Sequence, residues 1–120
     1  MQGVDRRRRV GEMIQRELAD LLRKVKDPRI SPMVTIGTVD VSRDLSYADV
    51  YYTILGRERC AATEEGFRQA AGYLRGKLAG RIRMKKMPQL RFHYDESETR
   101  ARRLDGLLSS TVRPAEEQDA

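Results

Sequence analysis

Eight cations lie between Glu65 and Asp95 with no acid among them: Arg68, Arg75, Lys77, Arg81, Arg83, Lys85, Lys86 and Arg91. The rest of the chain is nearly balanced, at +1 for residues 1–65 and −3 for residues 95–120, against +8 for this stretch and +6 overall. One segment therefore owns the basic character. Its simplest chemical use is to neutralise a phosphate backbone. The plain alternative is a solvated charged helix, but such helices usually interleave both signs to support themselves.

Glycines recur inside the same stretch at Gly72, Gly76 and Gly80, one every four residues. In a helix each costs about 1 kcal/mol relative to Ala. At 100° per residue they centre about 160° from the stripe Leu74, Leu78 and Ile82, on the solvent side. A break between two shorter helices accounts for Gly72. Close approach of an RNA backbone to main-chain amides is the expectation for Gly76 and Gly80, flanked by Arg75, Lys77 and Arg83. Packing of another element against these glycines is disfavoured by their place opposite the core.

Residues suited to catalysis are sparse. His93, Asp95 and Glu96 could be cast as a nuclease site, and Asp40 with Asp44 as a metal pair. Strand alternation sends His93 outward and leaves Asp95 at a strand end, so solvated strand-end polar residues explain them better. There is no phosphate-loop motif, no Ser or Cys triad and no Gly-x-Gly-x-x-Gly. Cys60 and His93, the single cysteine and histidine, cannot make a zinc site by themselves. Cys60 reads as a half-buried small residue in a helix. No cofactor and no catalytic residue is expected. The exposed aromatics, Tyr51, Tyr73 and His93, are too few for the stacking platform of a single-strand reader. Recognition of structured RNA by shape and charge is the reading that remains.

These residues need elements to hold them. Val10, Met13, Ile14, Leu18, Leu21, Leu22 and Val25 recur at spacings of three and four, which predicts a helix over 5–26. Asp5 is its expected N-cap, and Asp27-Pro28 its stop. Arg6 to Arg9 would then occupy the end of the macrodipole that disfavours cations. A strand follows over 34–42 with a fault: Val34 and Ile36 share one parity, Val39 and Val41 the other. A bulge at Gly37 would return both pairs to the core. Ala48, Val50, Tyr52 and Ile54 alternate cleanly in the next strand, and Ser42-Arg43-Asp44 begins a short hairpin connection. Helical spacing returns from about Ala61 and runs to about Met84. Pro88 leads into a third strand with Leu90, Phe92 and Tyr94 inward and Arg91 and His93 outward. A last short helix is predicted near 97–109.

With 120 residues, 39% hydrophobic and 35% charged, the chain can build one modest aliphatic core, without Trp and with two Phe. The expectation is a single domain over 1–110 and a disordered tail over 111–120. No internal disulfide is available, no apolar run spans a membrane, and the arginines after the N-terminus lead into no signal sequence. A cytoplasmic location follows.

Several segments resemble a known family. These are Lys26-Asp27-Pro28-Arg29, the run from Val41 to Tyr51 (VSRDLSYADVY), Ala70-Ala71-Gly72-Tyr73-Leu74-Arg75, and Met87-Pro88-Gln89-Leu90-Arg91-Phe92-His93-Tyr94-Asp95. In order and spacing the set is similar to ribosome-binding factor A, a bacterial assembly factor of the small ribosomal subunit, over roughly residues 6–110. The resemblance implies an α+β, KH-like domain of the bacterial (type II) arrangement: helix, strand, strand, two central helices joined by a kink, strand, and a short C-terminal helix. It assigns the interhelical kink to Ala70 and Gly72. It also implies binding to free 30S subunits and 16S rRNA but not to 70S ribosomes, and help in late maturation and rRNA 5′-end processing without catalysis. Candidate RNA-binding residues are Arg75, Lys77, Arg81, Arg83, Lys85, Lys86 and Arg43. A monomer is expected, with no membrane partner; release by a GTPase or an initiation factor would fit. Where the family often has a glycine after the third strand this chain has Ala101, which weakens the carry-over there. The alternatives are a general KH-type RNA binder without ribosome specificity and, more distantly, a metal-dependent nuclease.

Overall fold

The computed structural model describes residues 2–56 and 59–97. Five elements follow in order: α1 (Gln2–Lys24), β1 (Val34–Val41), β2 (Tyr47–Ile54), α2 (Ala61–Ala79) and β3 (Gln89–Tyr94). Beyond Ser97, the C-terminal helix expected near 97–109 and the tail over 111–120 lie outside the described residues.

The amphipathic stripe of α1 buries Val10, Ile14, Leu18 and Leu21. Its start lies earlier than the sequence suggests, so Asp5 sits inside the first turn and is not the N-cap. There a carboxylate favours the positive end of the macrodipole, and it also pairs with Arg8 at 3.7 Å. After the helix Asp27 closes a turn, accepting hydrogen bonds from the Arg29 main-chain N–H and guanidinium.

The sheet has the order β1-β2-β3. β1 and β2 form the antiparallel hairpin, whereas β3 runs parallel to β2. A parallel neighbour needs a long crossover, and α2 supplies it. The register slips between Ile36 and Val39, at the bulge expected around Gly37, and both parities of β1 thereby reach the core. Ile36, Val39, Val41, Ala48, Val50, Tyr52, Ile54 and Leu90 point to one face of the sheet. Phe67, Ala70, Leu74 and Leu78 of α2 meet them there beside α1. Phe67 stacks on Phe92 with ring centroids 4.2 Å apart and touches Tyr52 at 4.7 Å. Both helices cover that single face: α1 packs on β1 and α2 on β3. Among the described residues nothing covers the other.

Two expectations about the central region change. The expected pair of helices is one continuous α-helix that passes through Ala70-Ala71-Gly72 without a break. Ala70 is fully buried and Gly72 exposed, so the packing of Ala70 and Leu74 carries the helix across the glycine. The helix also ends earlier, at Ala79, with Gly80 as its C-cap and N–H bonds back to Lys77 and Leu78. Gly80 gives the helix little reason to continue, and Ile82 still reaches the core from the turn that follows. Arg83, Lys85 and Lys86 therefore sit on a loop and not on a helix. Cys60, in the same way, is the N-cap residue of α2, half-buried, and not within the helix.

Candidate nucleic-acid interface

The structure divides the candidate cations into two kinds. The Arg75 side chain folds back on the segment leading to β3, donating from Nε and Nη2 to Met87 O (3.1 and 2.7 Å) and from Nε to Pro88 O at 3.2 Å. It braces the loop. Arg81 reaches across to α1, with Nη1 2.8 Å from Asp20 Oδ2 and 3.2 Å from Glu17 Oε1. The hydrogen bonds from Arg81 and Lys24 draw the Asp20 carboxyl down to about 2. Arg81 thus ties the end of α2 to α1.

Lys77, Arg83, Lys85, Lys86 and Arg43 are the other kind: all are exposed, and none has an acidic partner among the described residues. Lys77 Nζ lies 5.6 Å from the centroid of the exposed Tyr73 ring, an attraction that leaves its hydrogen-bond donors open. Arg83 and Lys85 line a shallow concavity of about 550 Å³ over the turn after α2. Arg43 rides on a stiff turn. There Ser42 Oγ and the Ser46 N–H donate to Asp44 Oδ1, the Tyr47 N–H donates to Ser42 Oγ, and Leu45 is held at φ 62. A non-glycine residue at that φ is uncommon and is sustained only by surrounding contacts. The turn that carries Arg43 adjoins the start of β3, because the Gln89 N–H donates to Ser46 O at 2.8 Å.

The glycines also divide. A Cβ at Gly72 or Gly76 would meet nothing within 4 Å, and one at Gly80 would meet only Lys77 O at 3.5 Å. Within the described chain, nothing around Gly72 or Gly76 requires a glycine. Gly66 and Gly11 differ: a Cβ at Gly66 would collide with Arg29 O, and one at Gly11 would lie 2.5 Å from Val39 O. Sequence reading passed over both, because their partners are main-chain atoms remote in the chain and leave no side-chain signature.

The residues considered for catalysis have other duties. His93 bonds Asp49 at 2.8 Å, Glu96 pairs with Arg59 at 3.0 Å, and Asp95 accepts from the Ser97 N–H and Oγ. Asp44 is spent on its turn, and Asp40 faces Asp49 across the hairpin. No cluster of three or more metal-ligating side chains forms among the described residues, nor is any described helix long and apolar enough to cross a membrane.

Comparison with known proteins agrees with this arrangement. The family model described as Ribosome-binding factor A matches residues 6–108. A ribosome-binding factor A of Chromohalobacter salexigens is 48% identical over 108 residues, covering 87% of this chain and 82% of its own. That of Nitrosomonas europaea is 49% identical over 106 residues, covering 87% and 90%. The crystal structure of ribosome-binding factor A from Thermus thermophilus superposes with a TM-score of 0.65 at 27% identity, covering 73% of this chain and 93% of that one. Thermus thermophilus coordinates fitted into a cryo-EM map of a 30S complex give 0.61 at 27% identity, covering 72% and 91%. Helices on one face of a three-stranded sheet, in this order, are the α+β, KH-like fold implied by the resemblance. With nearly the whole described chain matched in sequence and shape, this protein belongs to the ribosome-binding factor A family.

Proposed function

We propose that this protein binds the free small (30S) ribosomal subunit and its 16S rRNA as a non-catalytic assembly factor acting late in maturation in the cytoplasm. Lys77, Arg83, Lys85, Lys86 and Arg43 supply the phosphate contacts. The observation that carries this reading is the sorting of the basic stretch. Arg75 and Arg81 are consumed in bracing the fold and Arg68 and Arg91 pair with Glu65 and Asp49, while Lys77, Arg83, Lys85 and Lys86 are exposed and, among the described residues, have no acidic partner. The relative fitted into a 30S map supports the choice of ribosomal partner. Binding would favour one rRNA conformation through differential affinity, and easier 5′-end processing would follow from that conformation.

Co-sedimentation with isolated 30S subunits and with 70S ribosomes, at low and moderate salt, tests the proposal. Binding to 30S alone is expected. The Lys85→Ala/Lys86→Ala variant should bind about tenfold or more weakly, with a shallower salt dependence. Equal binding to both particles would leave a general KH-type RNA binder, and unchanged affinity in the variant would remove these lysines from the interface.

A further inference from the structure

The uncovered sheet face carries a second ordered cluster. Register places Asp49 opposite Arg91, Tyr51 opposite His93 and Tyr47 opposite Gln89 on β2 and β3. The Asp49 carboxylate holds both β3 side chains, accepting from Arg91 Nε at 2.9 Å and Nη2 at 3.0 Å, with His93 Nε2 at 2.8 Å. Burial pushes the Asp49 carboxyl up, but the hydrogen bonds from Arg91 and His93 outweigh it and the net shift is downward. The carboxylate is therefore ionised, and Nε2 carries the proton that it donates.

Held in this way, the Arg91 guanidinium lies 4.1 Å from the centroid of the Tyr47 ring, and His93 stacks on Tyr51 at 5.1 Å with 29° between planes. The Arg91 and His93 side chains remain 50% and 43% exposed, so one member of each pair is open to solvent. The two lie two residues apart on one strand, about 7 Å. Asp49 cancels the charge of Arg91, so this cluster has little to offer a phosphate. A ligand with π faces suits it better, because bases stack on aromatic rings and on guanidinium planes alike. Cations for the accompanying phosphates stand at the same end of the sheet. Lys85 and Lys86 precede β3, and the Gln89 N–H bond to Ser46 O brings in the turn that carries Arg43.

We propose that Tyr47, Tyr51, Arg91 and His93 form a stacking platform for unpaired RNA nucleotides, with Asp49 as its positioning residue. The proposal rests on RNA being the partner and adds a mode of contact that the aromatic count of the sequence had argued against. Tyr47 and Arg91 were absent from that count, and pairing across strands is what brings them in.

The test uses the full chain and fluorescence anisotropy at fixed salt with two labelled hexamers of equal charge, hexaadenylate and its abasic counterpart. Hexaadenylate should bind about tenfold more tightly. The Tyr47→Ala/His93→Ala variant should lose that preference while keeping its salt dependence, and Tyr47→Phe/His93→Phe should restore it. Equal binding of the two hexamers by the unmodified protein overturns the platform without recourse to any variant, as does a preference that survives in a folded alanine variant. Failure to sediment with 30S alongside a clear preference for hexaadenylate would remove the proposed function and leave the platform. The reverse pair of results would remove the platform alone.

Discussion

The two halves of α2 use glycine for opposite ends. In the first half Gly66 is buried where the loop after α1 crosses the helix, and main chain occupies the space a side chain would need. In the second half Gly72 and Gly76 face open space, at about 1 kcal/mol each relative to Ala, with no neighbour in the described chain that gains from it. The same residue type is an internal fitting in one place and an unexplained cost in the other. Nothing in the described chain explains that cost; Lys77 shares this half of the helix, and Arg83, Lys85 and Lys86 follow on the loop beyond it.

The sharpest way to break the contrast is Gly66→Ala. Its Cβ meets rigid main chain at Arg29, so it should destabilise the protein by about 3 kcal/mol or more, read as a lower urea midpoint. An unchanged midpoint would show that the loop yields freely. Gly11→Ala, 2.5 Å from Val39 O, should cost somewhat less, about 1–3 kcal/mol. The opposite sign is expected for Gly72→Ala and Gly76→Ala: a gain of about 1 kcal/mol each, together with weaker 30S binding. Gained stability with undiminished binding would make these glycines neutral. Tyr52, which leans on the buried half through Phe67, has a hydroxyl with no hydrogen-bond partner among the described residues, so Tyr52→Phe should change stability by about 1 kcal/mol or less and not for the worse. Burial, chiefly, pushes the Tyr52 phenol up to about 12 from 10.0. The fold therefore favours its neutral form, and that contribution is complete below pH 10 and lost as pH rises towards 12. Thermal melts across that window should separate the two proteins, and parallel curves would contradict the burial of the phenol. Smallest of all should be Asp20→Asn. Asp20 titrates below its ordinary value of 3.8, so its contribution is present above pH 3.8 and fades as pH falls through about 2. At neutral pH the variant should bind RNA slightly more tightly by releasing part of Arg81, as a salt titration would show.

Side-chain periodicity made much of the fold legible. The parity change from Val34 and Ile36 to Val39 and Val41 located the bulge, and Leu90, Phe92 and Tyr94 gave the inward face of β3. The basic surface was legible as charge but not as individual residues. The acceptors that engage Arg75 and Arg81 are carbonyls of Met87 and Pro88 and carboxylates of α1, which meet them only after folding. The end of α2 was misplaced for a related reason: Ile82 keeps the helical stripe going in sequence while reaching the core from a turn. Asp49, which orders the uncovered face, drew no notice because its partners Arg91 and His93 stand on another strand.

The bulge has a consequence beyond registry. Among the described residues β1 is an outermost strand, so one row of its amides and carbonyls has no sheet neighbour there. A straight, regular row would be a template on which a second molecule could add a strand and begin aggregation. The slip between Ile36 and Val39 interrupts that row and twists the strand at its middle, so an incoming strand finds no long run in phase. The irregularity that rescues the core in one molecule thus discourages coalescence between many.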